Sequence, residues 1–377
     1  MMKQTADVIV IGGGIVGCAA AYYLAKKKTD VIVLEASDSI GHGGSSRNGG
    51  GVRQSGRDPR ELPYAMYGIE HLWPTLSEEL GMDVEYCQGG NLRLALNDEH
   101  IEILKARTAD ATALGLDVTM VDAKEVKEIC PHLSDKIVAA SWCPTDGHAN
   151  PMLTTLAYYR RAREMGVTFI TGEPVVELRK IKGKIRQVVS KDGTIYEAEN
   201  VIVAAGYEGR EIARTVGIDI PMTRFFEECV VTEMQPKMFD IMLGVATAEV
   251  YGHQCAHGSF VFGSGTGMES ANDRIGALQT SALGTPANCR AIMKYVPALG
   301  DAKIVRSWGG WMDITHDKVP VISTVDEVPG LILAIGFSGH GFGTGPVVGL
   351  MLSQMVLGEK TACDLSALRY NRFKSKV

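Results

Sequence analysis

The amino-acid sequence predicts an α/β protein in which a Rossmann-type domain with a parallel sheet is interleaved with a β-rich domain. Three observations predict this fold. A buried strand, a glycine turn, a helix and a second buried strand follow one another over residues 7–34. Near the other end, residues 328–357 contain a core strand, a glycine-rich turn and a helix. Between these regions, residues 221–265 are rich in strand-forming residues.

Strands and helices alternate through the first half of the chain. Apolar β-branched runs predict buried strands, and apolar residues at helical spacing predict helices, two of which stop near Gly115 and Gly166. The predicted elements are strands over 7–11 and 31–34 and helices over 15–27, 61–81, 98–114 and 153–165. The first strand, helix and strand form a βαβ unit, which makes the first two strands parallel.

Short strands dominate the second half. The Asp192-Gly193 pair is typical of a hairpin turn between two of them. The predicted elements are strands over 167–170, 175–180, 185–190, 194–196, 200–204 and 328–335 and helices over 286–296 and 346–357. Alternating helices and strands occur in three separate parts of the chain, with strand-rich parts between them. Both domains are therefore expected to be discontinuous. The predicted divisions are residues 1–82, 145–220 and 325–377 for the Rossmann-type domain and residues 83–144 and 221–324 for the β-rich domain.

Composition excludes several classes of protein. Apolar residues make up 45% of the 377 residues and charged residues 22%, which is typical of a globular chain. The net charge is −6 and there is no basic tract, so a nucleic-acid partner is not expected. The eight cysteines are scattered and form no CxxC pair, which argues against zinc and iron–sulfur sites and favours a reducing cytoplasm.

The most apolar segment, residues 8–25, has nearly the length of a membrane span. Three consecutive glycines interrupt it after four residues, and no basic segment or cleavage site precedes it. A strand, a turn and a helix explain this pattern, so no transmembrane span is expected. A cytoplasmic protein is predicted, and peripheral membrane association is left open.

A dinucleotide-binding fingerprint follows the first strand. Gly12-x-Gly14-x-x-Gly17 opens the first helix, and Glu35 ends the next strand. These glycines allow the turn, the approach of a pyrophosphate and the packing of helix on strand, while an acid at this place accepts ribose hydroxyls and repels a 2′-phosphate. The fingerprint does not by itself choose between FAD and NAD. Further cofactor-contacting residues expected here are Ile15, Val16 and Ala36.

Two more glycine-rich segments suit an extended ligand. The first has small and hydroxyl side chains and one cation, and its candidate cofactor residues are Ser45, Ser46, Arg47, Asn48, Gly49, Gly50 and Gly51. The second joins a core strand to a helix, and its candidates are Gly339, His340, Gly341, Phe342 and Gly343. A helix starting near Pro346 would direct its positive end at the electron-rich edge of a flavin.

Together the three segments resemble the FAD-dependent D-amino-acid-oxidase superfamily, which includes glycine and sarcosine oxidases. The resemblance extends over most of the chain and includes the segments 146–151, 172–175 and 203–206. It implies a D-amino-acid-oxidase-like fold, FAD in the Rossmann-type domain and substrate between the flavin and the β-rich domain. It adds Val175, Ala205, Gly206 and Gly309 to the expected cofactor contacts.

The sequence departs from that superfamily in two places. Many relatives carry an arginine for the substrate carboxylate where this chain has Met312, and their proline is replaced by His316. The surrounding W-G-G-W-x-D-x-T-x-D pattern is more similar to the β-type subunits of heteromeric sarcosine, hydroxyproline and opine dehydrogenases. This similarity implies partner subunits carrying iron–sulfur or flavin centres. No residue matches a covalent flavin anchor, so non-covalent FAD is expected.

The resemblance implies oxidation of an amine or amino acid, such as sarcosine, hydroxyproline, a D-amino acid or an opine. Hydride passes from the carbon that bears nitrogen to flavin N5 and leaves an imine. Arg53 is the predicted carboxylate anchor, because arginine binds carboxylates bidentately, and Tyr251 and His253 are predicted to line the substrate site. No metal is expected, since His253 and His257 lie four apart in a strand without accompanying carboxylates.

Other functions stay open at this stage. A dehydrogenase with a separate electron acceptor is the leading hypothesis, and an oxygen-using oxidase is the first alternative. A flavin-binding subunit that only relays electrons is the second. An NAD-dependent dehydrogenase is disfavoured, because NADH-linked flavoenzymes usually carry a second GxGxxG and this chain has one.

Overall fold

The computed structural model describes residues 4–264, 280 and 282–374. The end of the predicted strand-rich segment and parts of the predicted domain segments 1–82, 221–324 and 325–377 therefore lie outside the described residues. The helices are α1 (Ile15–Lys26), α2 (Leu62–His71), α3 (Leu76–Leu80), α4 (Asp98–Ala113), α5 (Ala123–Ile129), α6 (Pro151–Glu164), α7 (Gly209–Arg214), α8 (Gly284–Tyr295) and α9 (Gly341–Leu357).

The strands belong to four sheets. In chain order they are β1 (Val8–Ile11), β2 (Val31–Glu35), β3 (Gly51–Val52), β4 (Asn91–Ala95), β5 (Thr119–Asp122), β6 (Ala139–Cys143), β7 (Gly147–His148), β8 (Thr168–Thr171), β9 (Val175–Ile181), β10 (Lys184–Ser190), β11 (Ile195–Glu197), β12 (Asn200–Val203), β13 (Met222–Thr232), β14 (Met242–Val245), β15 (Tyr251–Gln254), β16 (Phe260–Ser264), β17 (Ile304–Thr315), β18 (Val321–Thr324) and β19 (Leu331–Ile335).

A six-stranded sheet in the order β18-β19-β12-β1-β2-β8 forms the first layer. All neighbouring pairs in it are parallel except β18 with β19. Val8 of β1 pairs with Val31 on one side and Asn200 on the other, so β1 is central. Its four residues are all buried, as is typical of a parallel strand covered on both faces.

Helices cover one face of this sheet and a small antiparallel sheet covers the other. Val8 and Val10 share a core cluster with α1, α6 and α9. Ile9 and Ile11 point the opposite way and pack in a second cluster with residues of β10 and α7. The alternation of these side chains follows the two-residue period of a strand, so each face of β1 is committed to a different layer.

An eight-stranded sheet in the order β17-β13-β16-β15-β14-β4-β6-β5 forms the second body of the fold. One face packs with α8 around Leu92, Phe260 and Phe262. We call the opposite face the inner face; it carries Arg93, Tyr251 and His253, which alternate with residues of that core. Residues 43–53, which contain β3 and are called the glycine segment below, pack directly on the inner face. The inner face therefore turns toward the six-stranded sheet.

Two helices on the six-stranded sheet approach each other closely. A Cβ on Gly345 of α9 would lie 2.6 Å from Ile15 of α1, and one on Gly349 would lie 2.5 Å from Ala19 Cβ. Each step of four residues in α9 matches a step of four in α1, so the two helices run parallel. Their N-termini consequently lie at the same end of the sheet.

Most predicted elements agree with the structure within a few residues, and the predicted fold class is confirmed by the two sheet systems and by the structural comparisons below. Three element predictions were wrong in detail. The helix expected over 61–81 is broken by a 3₁₀ turn at Trp73–Thr75, where Pro74 cannot donate a backbone hydrogen bond. The last helix begins at Gly341, ahead of Pro346. The last core strand begins at Leu331, after Gly330 turns the chain with φ +87°.

The division into two discontinuous domains stays a prediction. The strands of the six-stranded sheet and those of the eight-stranded sheet come from alternating parts of the chain. Within the described ranges, none of the helices has both the length and the apolar character needed to cross a bilayer.

The close packing of α1 on α9 makes a testable prediction. Gly349→Ala places a Cβ 2.5 Å from Ala19 Cβ and 2.7 Å from the Ala20 nitrogen, so the helices must separate. We expect the free energy of unfolding to fall by about 1–3 kcal/mol, measured by urea denaturation. Gly300→Ala is the control, since Gly300 has helical φ and its nearest contact is 3.4 Å. Equal stability of the two variants would contradict the packing described here.

Candidate functional site

The carboxyl ends of four neighbouring parallel strands meet at one edge of the six-stranded sheet. The segments that follow them are Gly12–Gly14 after β1, Ala36 after β2, Ala204–Gly206 after β12 and Gly336–Ser338 after β19. From β1 the chain crosses through α1 to β2 on one side, while β12 joins β1 from the other side. This change of direction opens a crevice outside the strand ends, where α/β proteins bind their ligands.

The turn after β1 and the first turn of α1 each contain a position that accepts only glycine. Gly12 has φ +108°, and a Cβ there would lie 2.4 Å from the Ala204 carbonyl oxygen at the end of β12. A Cβ on Gly17 would lie 2.0 Å from the Gly12 carbonyl oxygen. These contacts bring β1, α1 and β12 close enough for the backbone of the turn to face the crevice.

Glu35 is fixed at the end of β2 by two backbone groups. Its Oε2 accepts a hydrogen bond from the Gly13 nitrogen at 2.7 Å, and its Oε1 accepts one from the Ser37 nitrogen at 2.9 Å. Each carboxylate oxygen keeps a further lone pair for a hydroxyl group. Gly172 and Glu173 donate backbone hydrogen bonds to Ser37 and Glu35, which places Val175 close by, beyond Pro174.

Two helix N-termini face the same edge. The N-cap of α1 is Gly14 and that of α9 is His340; neither helix has a capping side chain of its own or an acidic residue in its first turn. The first turn of α1 contains the predicted contacts Ile15 and Val16. Because the helices are parallel, their positive ends add at one place, which favours an anion there.

The segment 43–53 crosses over the N-terminus of α1. Ser45 Oγ accepts a hydrogen bond from the Ile15 nitrogen at 2.9 Å. Asn48 donates to the carbonyl oxygens of Gly44 and Ser45 at 3.0 Å and accepts from the Gly50 nitrogen at 2.9 Å. These bonds fold the segment, including the 3₁₀ turn Gly44–Ser46, into a fixed loop rather than a solvent loop.

Arg47 connects this loop to the eight-stranded sheet. Its Nη1 donates to the Gly309 carbonyl oxygen at 3.2 Å, and its Nε donates to the His42 carbonyl oxygen at 2.9 Å. A Cβ on Gly309 would meet the Phe226 ring at 2.2 Å, so Gly309 offers its backbone and no side chain. These contacts bring Arg47 and Gly309, both predicted to contact a cofactor, next to each other.

The loop after β19 is held by a partly buried carboxylate. Asp313 Oδ2 accepts a hydrogen bond from the Gly336 nitrogen at 2.7 Å, and the Ser338 nitrogen donates to the Asp313 carbonyl oxygen at 3.0 Å. Burial raises the pKa of Asp313 from 3.8 to about 6. Met312, at the place where many relatives carry an arginine, lies against this loop, since a Cβ on Gly339 would meet its sulfur at 2.8 Å.

His340 takes part in a buried ion cluster that the sequence analysis missed. Its Nδ1 lies 2.8 Å from Glu61 Oε2, which also accepts from Arg57 Nη1 at 3.2 Å. Burial raises the pKa of Glu61, but His340 and Arg57 outweigh it and hold that pKa below its ordinary value. Burial lowers the pKa of His340. The four-residue spacing of Arg53, Arg57 and Glu61 was the signal available in the sequence.

The three predicted catalytic residues lie around the glycine segment. Arg53 directly follows β3, and its Nη1 donates to the Ser55 carbonyl oxygen at 3.1 Å. Burial and the neighbouring Arg57 lower its pKa to about 10. Tyr251 packs on Gly49, where a Cβ would lie 2.5 Å from the ring.

His253 is buried on the inner face next to the same segment. Its ring stacks on His148 with 3.9 Å between centroids, and a Cβ on Gly50 would lie 3.2 Å from His253 Cε1. Burial and the adjacent His148 hold the pKa of His253 well below 6.5, so the imidazole is neutral at pH 7. Among the described residues there is no group of three His, Cys, Asp or Glu side chains that could hold a metal.

The remaining predicted residues lie along the same crevice. Ala205 and Gly206 follow β12, and a Cβ on Gly206 would meet nothing within 4 Å. Gly341, Phe342 and Gly343 form the first turn of α9, and Phe342 is buried. A Cβ on Gly343 would lie 2.9 Å from the Gly51 carbonyl oxygen, which brings the two glycine-rich segments into contact. The chain thus brings together its three glycine-rich segments, and their role as cofactor contacts stays a prediction.

Comparison with known proteins gives one family and several relatives. A sequence model of the FAD dependent oxidoreductase family matches residues 7–355. The beta chain of sarcosine oxidase, a subunit of that enzyme from Arthrobacter sp, is 28% identical and is covered over 92% of its length by 99% of this chain. An opine oxidase subunit from Rhizobium meliloti is 25% identical, with 98% of both chains covered.

A longer relative and a solved structure complete the comparison. Dimethylglycine dehydrogenase from Rattus norvegicus is 28% identical over 98% of this chain, which spans only 45% of that protein's length. The crystal structure of L-proline dehydrogenase from P. horikoshii superposes with a TM-score of 0.89, 28% identity and 99% coverage of both chains.

The raised pKa of Asp313 predicts a pH dependence of stability. Because the pKa is about 6 in the folded chain and 3.8 in the unfolded chain, the folded state binds the proton more tightly. The free energy of unfolding therefore falls as pH rises from about 4 to about 6, by roughly 1–3 kcal/mol for this group. Asp313→Asn, which keeps an oxygen for the Gly336 nitrogen, should lose this pH-dependent part.

Urea denaturation of the chain without cofactor at pH 4.5, 5.5 and 7 measures the effect. The surface variant Asp117→Asn is the control and should follow the unsubstituted chain. Identical pH profiles for Asp313→Asn and the unsubstituted chain would show that this carboxylate titrates normally.

Proposed function

Since the chain belongs to the FAD dependent oxidoreductase family, we propose that it oxidises the C–N bond of an amine or amino acid, with a secondary amine as substrate. Membership confirms the superfamily, the FAD dependence and the oxidoreductase class expected from the sequence. It favours FAD over NAD, the choice that the fingerprint had left open. The named activities of the relatives, on sarcosine, opines and L-proline, support the C–N bond as the site of oxidation.

The residues at the sheet edge fit FAD. Glu35 is positioned to accept the ribose hydroxyls, the N-terminus of α1 to stabilise the pyrophosphate, and the N-terminus of α9 to stabilise negative charge on the flavin. Gly12 and Gly17 let the turn after β1 pack tightly on the end of β12 and on the start of α1, where a Cβ would clash with the backbone. When bound, FAD supplies the acceptor, flavin N5, for the hydride that leaves the carbon next to nitrogen.

The proposed substrate class rests on the surroundings of Arg53. It stands beside the inner face and, within the described part of the chain, its guanidinium contacts a backbone carbonyl and no carboxylate. A carboxylate of the substrate would complete its hydrogen bonds bidentately. We therefore assign Arg53 as the carboxylate anchor that replaces the arginine missing at Met312.

Tyr251 and His253 shape the space next to Arg53. Both pack on the glycine segment and so fix the distance between that segment and the inner face. His253 is neutral and therefore adds no positive charge to that of the arginines. The amine must reach the site unprotonated, because its lone pair assists the departure of hydride, and neither residue has to act as a strong base. The imine product is hydrolysed by water after release.

A dehydrogenase with a partner subunit is the favoured form of this function. Two relatives that the chain matches over nearly their whole length are named as subunits of larger enzymes. We propose that electrons leave this chain through a partner subunit with a further flavin or an iron–sulfur centre, rather than directly to oxygen. Non-covalent binding of FAD and a cytoplasmic location belong to the same proposal.

An anaerobic visible spectrum of the purified chain with FAD tests the function. Sarcosine, D-proline, D-hydroxyproline and an opine are added in turn. Bleaching of the oxidised flavin band by one of them supports amine oxidation, and slow recovery on admission of air favours the dehydrogenase over the oxidase. A flavin spectrum that no amine changes would contradict the proposal.

Replacement of Arg53 tests its assigned role. For the substrate identified by bleaching, Arg53→Gln should raise KM by about 10–100-fold, the loss of one charged hydrogen-bonded pair, and change kcat less. The control is Arg60→Gln in the same segment, because Arg60 is already paired with Asp58 and Asp317. An unchanged KM in Arg53→Gln, with FAD retained, would remove Arg53 from the substrate site.

A further inference from the structure

A further guanidinium, which is buried, lies on the inner face. Arg93 is in the middle of β4 and is 6% exposed. Leu92 and Leu94 on either side of it pack into the opposite core, so Arg93 projects toward the glycine segment. An arginine at a buried strand position calls for a charged or strongly polar partner.

The surrounding residues leave room for the Arg93 guanidinium but form few hydrogen bonds with it. A Cβ on Gly56 would lie 2.8 Å from Arg93 Cζ, and one on Gly244 would lie 3.6 Å from Nη1, so two glycines make room for the guanidinium. Nη2 donates to the Val245 carbonyl oxygen at 3.2 Å, and Nε is buried without a hydrogen bond. No described residue forms an ion pair with Arg93.

The nearest buried carboxylate is already in use. Asp146 accepts hydrogen bonds from the Gln54 nitrogen at 2.7 Å and from Ser55 Oγ at 2.5 Å, and Asn91 Nδ2 lies 3.4 Å away. It interacts with Arg93 only through space. The other buried carboxylate nearby, Glu61, is bound by Arg57 and His340.

Arg53 Nη1 donates to the Ser55 carbonyl oxygen, and the Arg93 guanidinium packs against the next residue, Gly56, so both guanidiniums lie along one short segment. Among the described residues neither of them has a contacting anion. Burial, Arg53 and Arg107 lower the pKa of Arg93 to about 9. An uncompensated buried charge is strongly unfavourable, and a bound anion would relieve that cost. One carboxylate of a ligand can pair with one guanidinium, so two guanidiniums accommodate two carboxylates.

We propose that Arg93 and Arg53 each bind one carboxylate of the same substrate, which is a secondary amine with a carboxylate on both arms, an N-carboxyalkyl amino acid. This inference rests on the proposed function and narrows its substrate class. Arg93 is then the residue that distinguishes such dicarboxylates from N-methyl amino acids, which offer a single carboxylate.

The reaction on this substrate class balances without a further reagent. The carbon next to nitrogen loses a hydride to FAD, nitrogen loses a proton, and the C–N single bond becomes a C=N bond. Water then adds to that carbon, and the C–N bond breaks to give an oxo acid and an amino acid. Two electrons are transferred to FAD in each cycle.

Binding of two unreactive probes tests the proposal apart from catalysis. Diglycolate carries two carboxylates about an ether oxygen, and methoxyacetate carries one on the same skeleton. Each is titrated into the full chain with FAD, and binding is followed by the change in flavin absorbance and by equilibrium dialysis. We expect diglycolate to bind at least about 10-fold more tightly, as one added ion pair implies.

Arg93→Gln should abolish this preference and leave methoxyacetate binding unchanged, while Arg53→Gln should weaken both probes. Arg107→Gln is the matched control, because Arg107 donates to the Ala246 carbonyl oxygen as Arg93 does to that of Val245, but is exposed. FAD content and urea stability identify any variant that fails to fold; Arg93→Lys, which keeps the charge, should retain part of the preference.

Equal binding of both probes to the unsubstituted chain would overturn the inference, and so would equal weakening of both in Arg93→Gln. Failure of the proposed function is distinguishable from either result. In that case no amine bleaches the flavin, while the preference for diglycolate over methoxyacetate is still measurable.

Discussion

The close parallel packing of α1 on α9 is the constraint on which the rest of the structure depends. Gly345 and Gly349 remove side chains from one face of α9, so Ile15 and Ala19 of α1 can lie directly against its backbone. Since Ile15, the first residue of α1, lies against Gly345 in the second turn of α9, the two helices begin close together. As a result, turns that are more than three hundred residues apart in sequence meet at the carboxyl edge of a single sheet, and two helix N-termini direct their partial positive charge at one crevice.

Glycines also allow close packing between the two sheet systems. Gly49, Gly50 and Gly51 let the loop before Arg53 rest on the inner face, and Gly56 leaves room for Arg93. The loop thereby brings Arg53 beside the inner face, where Gly49 and Gly50 pack on Tyr251 and His253. His253 is kept neutral by burial and its stacked neighbour, and Glu61 is bound by Arg57 and His340. Within the described part of the chain, Arg53 and Arg93 are therefore left without an ion pair. Under the proposed function, the two arginines would suit an anionic substrate, and the two helix N-termini would suit a flavin that gains negative charge when reduced.

Local patterns in the sequence were sufficient to predict the features that depend on residues close together in the chain. The βαβ unit, the glycine fingerprint, Glu35 and the hairpin at Asp192-Gly193 each have a physical signature within a few residues. Features that depend on contacts between distant parts of the chain had no such local signature. Arg93 looks like an ordinary polar residue in a strand until the glycine segment packs on it, and the pairing of β14 with β4 joins segments about 150 residues apart. The start of α9 at Gly341 was missed because Pro346 resembles a first-turn proline, whereas the helix accommodates it one turn later.

The central claim is that the carboxyl edge of the six-stranded sheet would hold FAD and that Arg53 and Arg93 would bind the carboxylates of the substrate. The most direct test is an experimental structure of the chain with FAD and diglycolate bound. The account predicts the ribose at Glu35, the pyrophosphate at the N-terminus of α1, and one carboxylate of diglycolate on each of Arg53 and Arg93. A flavin ring turned away from the inner face, or diglycolate bound elsewhere, would contradict it.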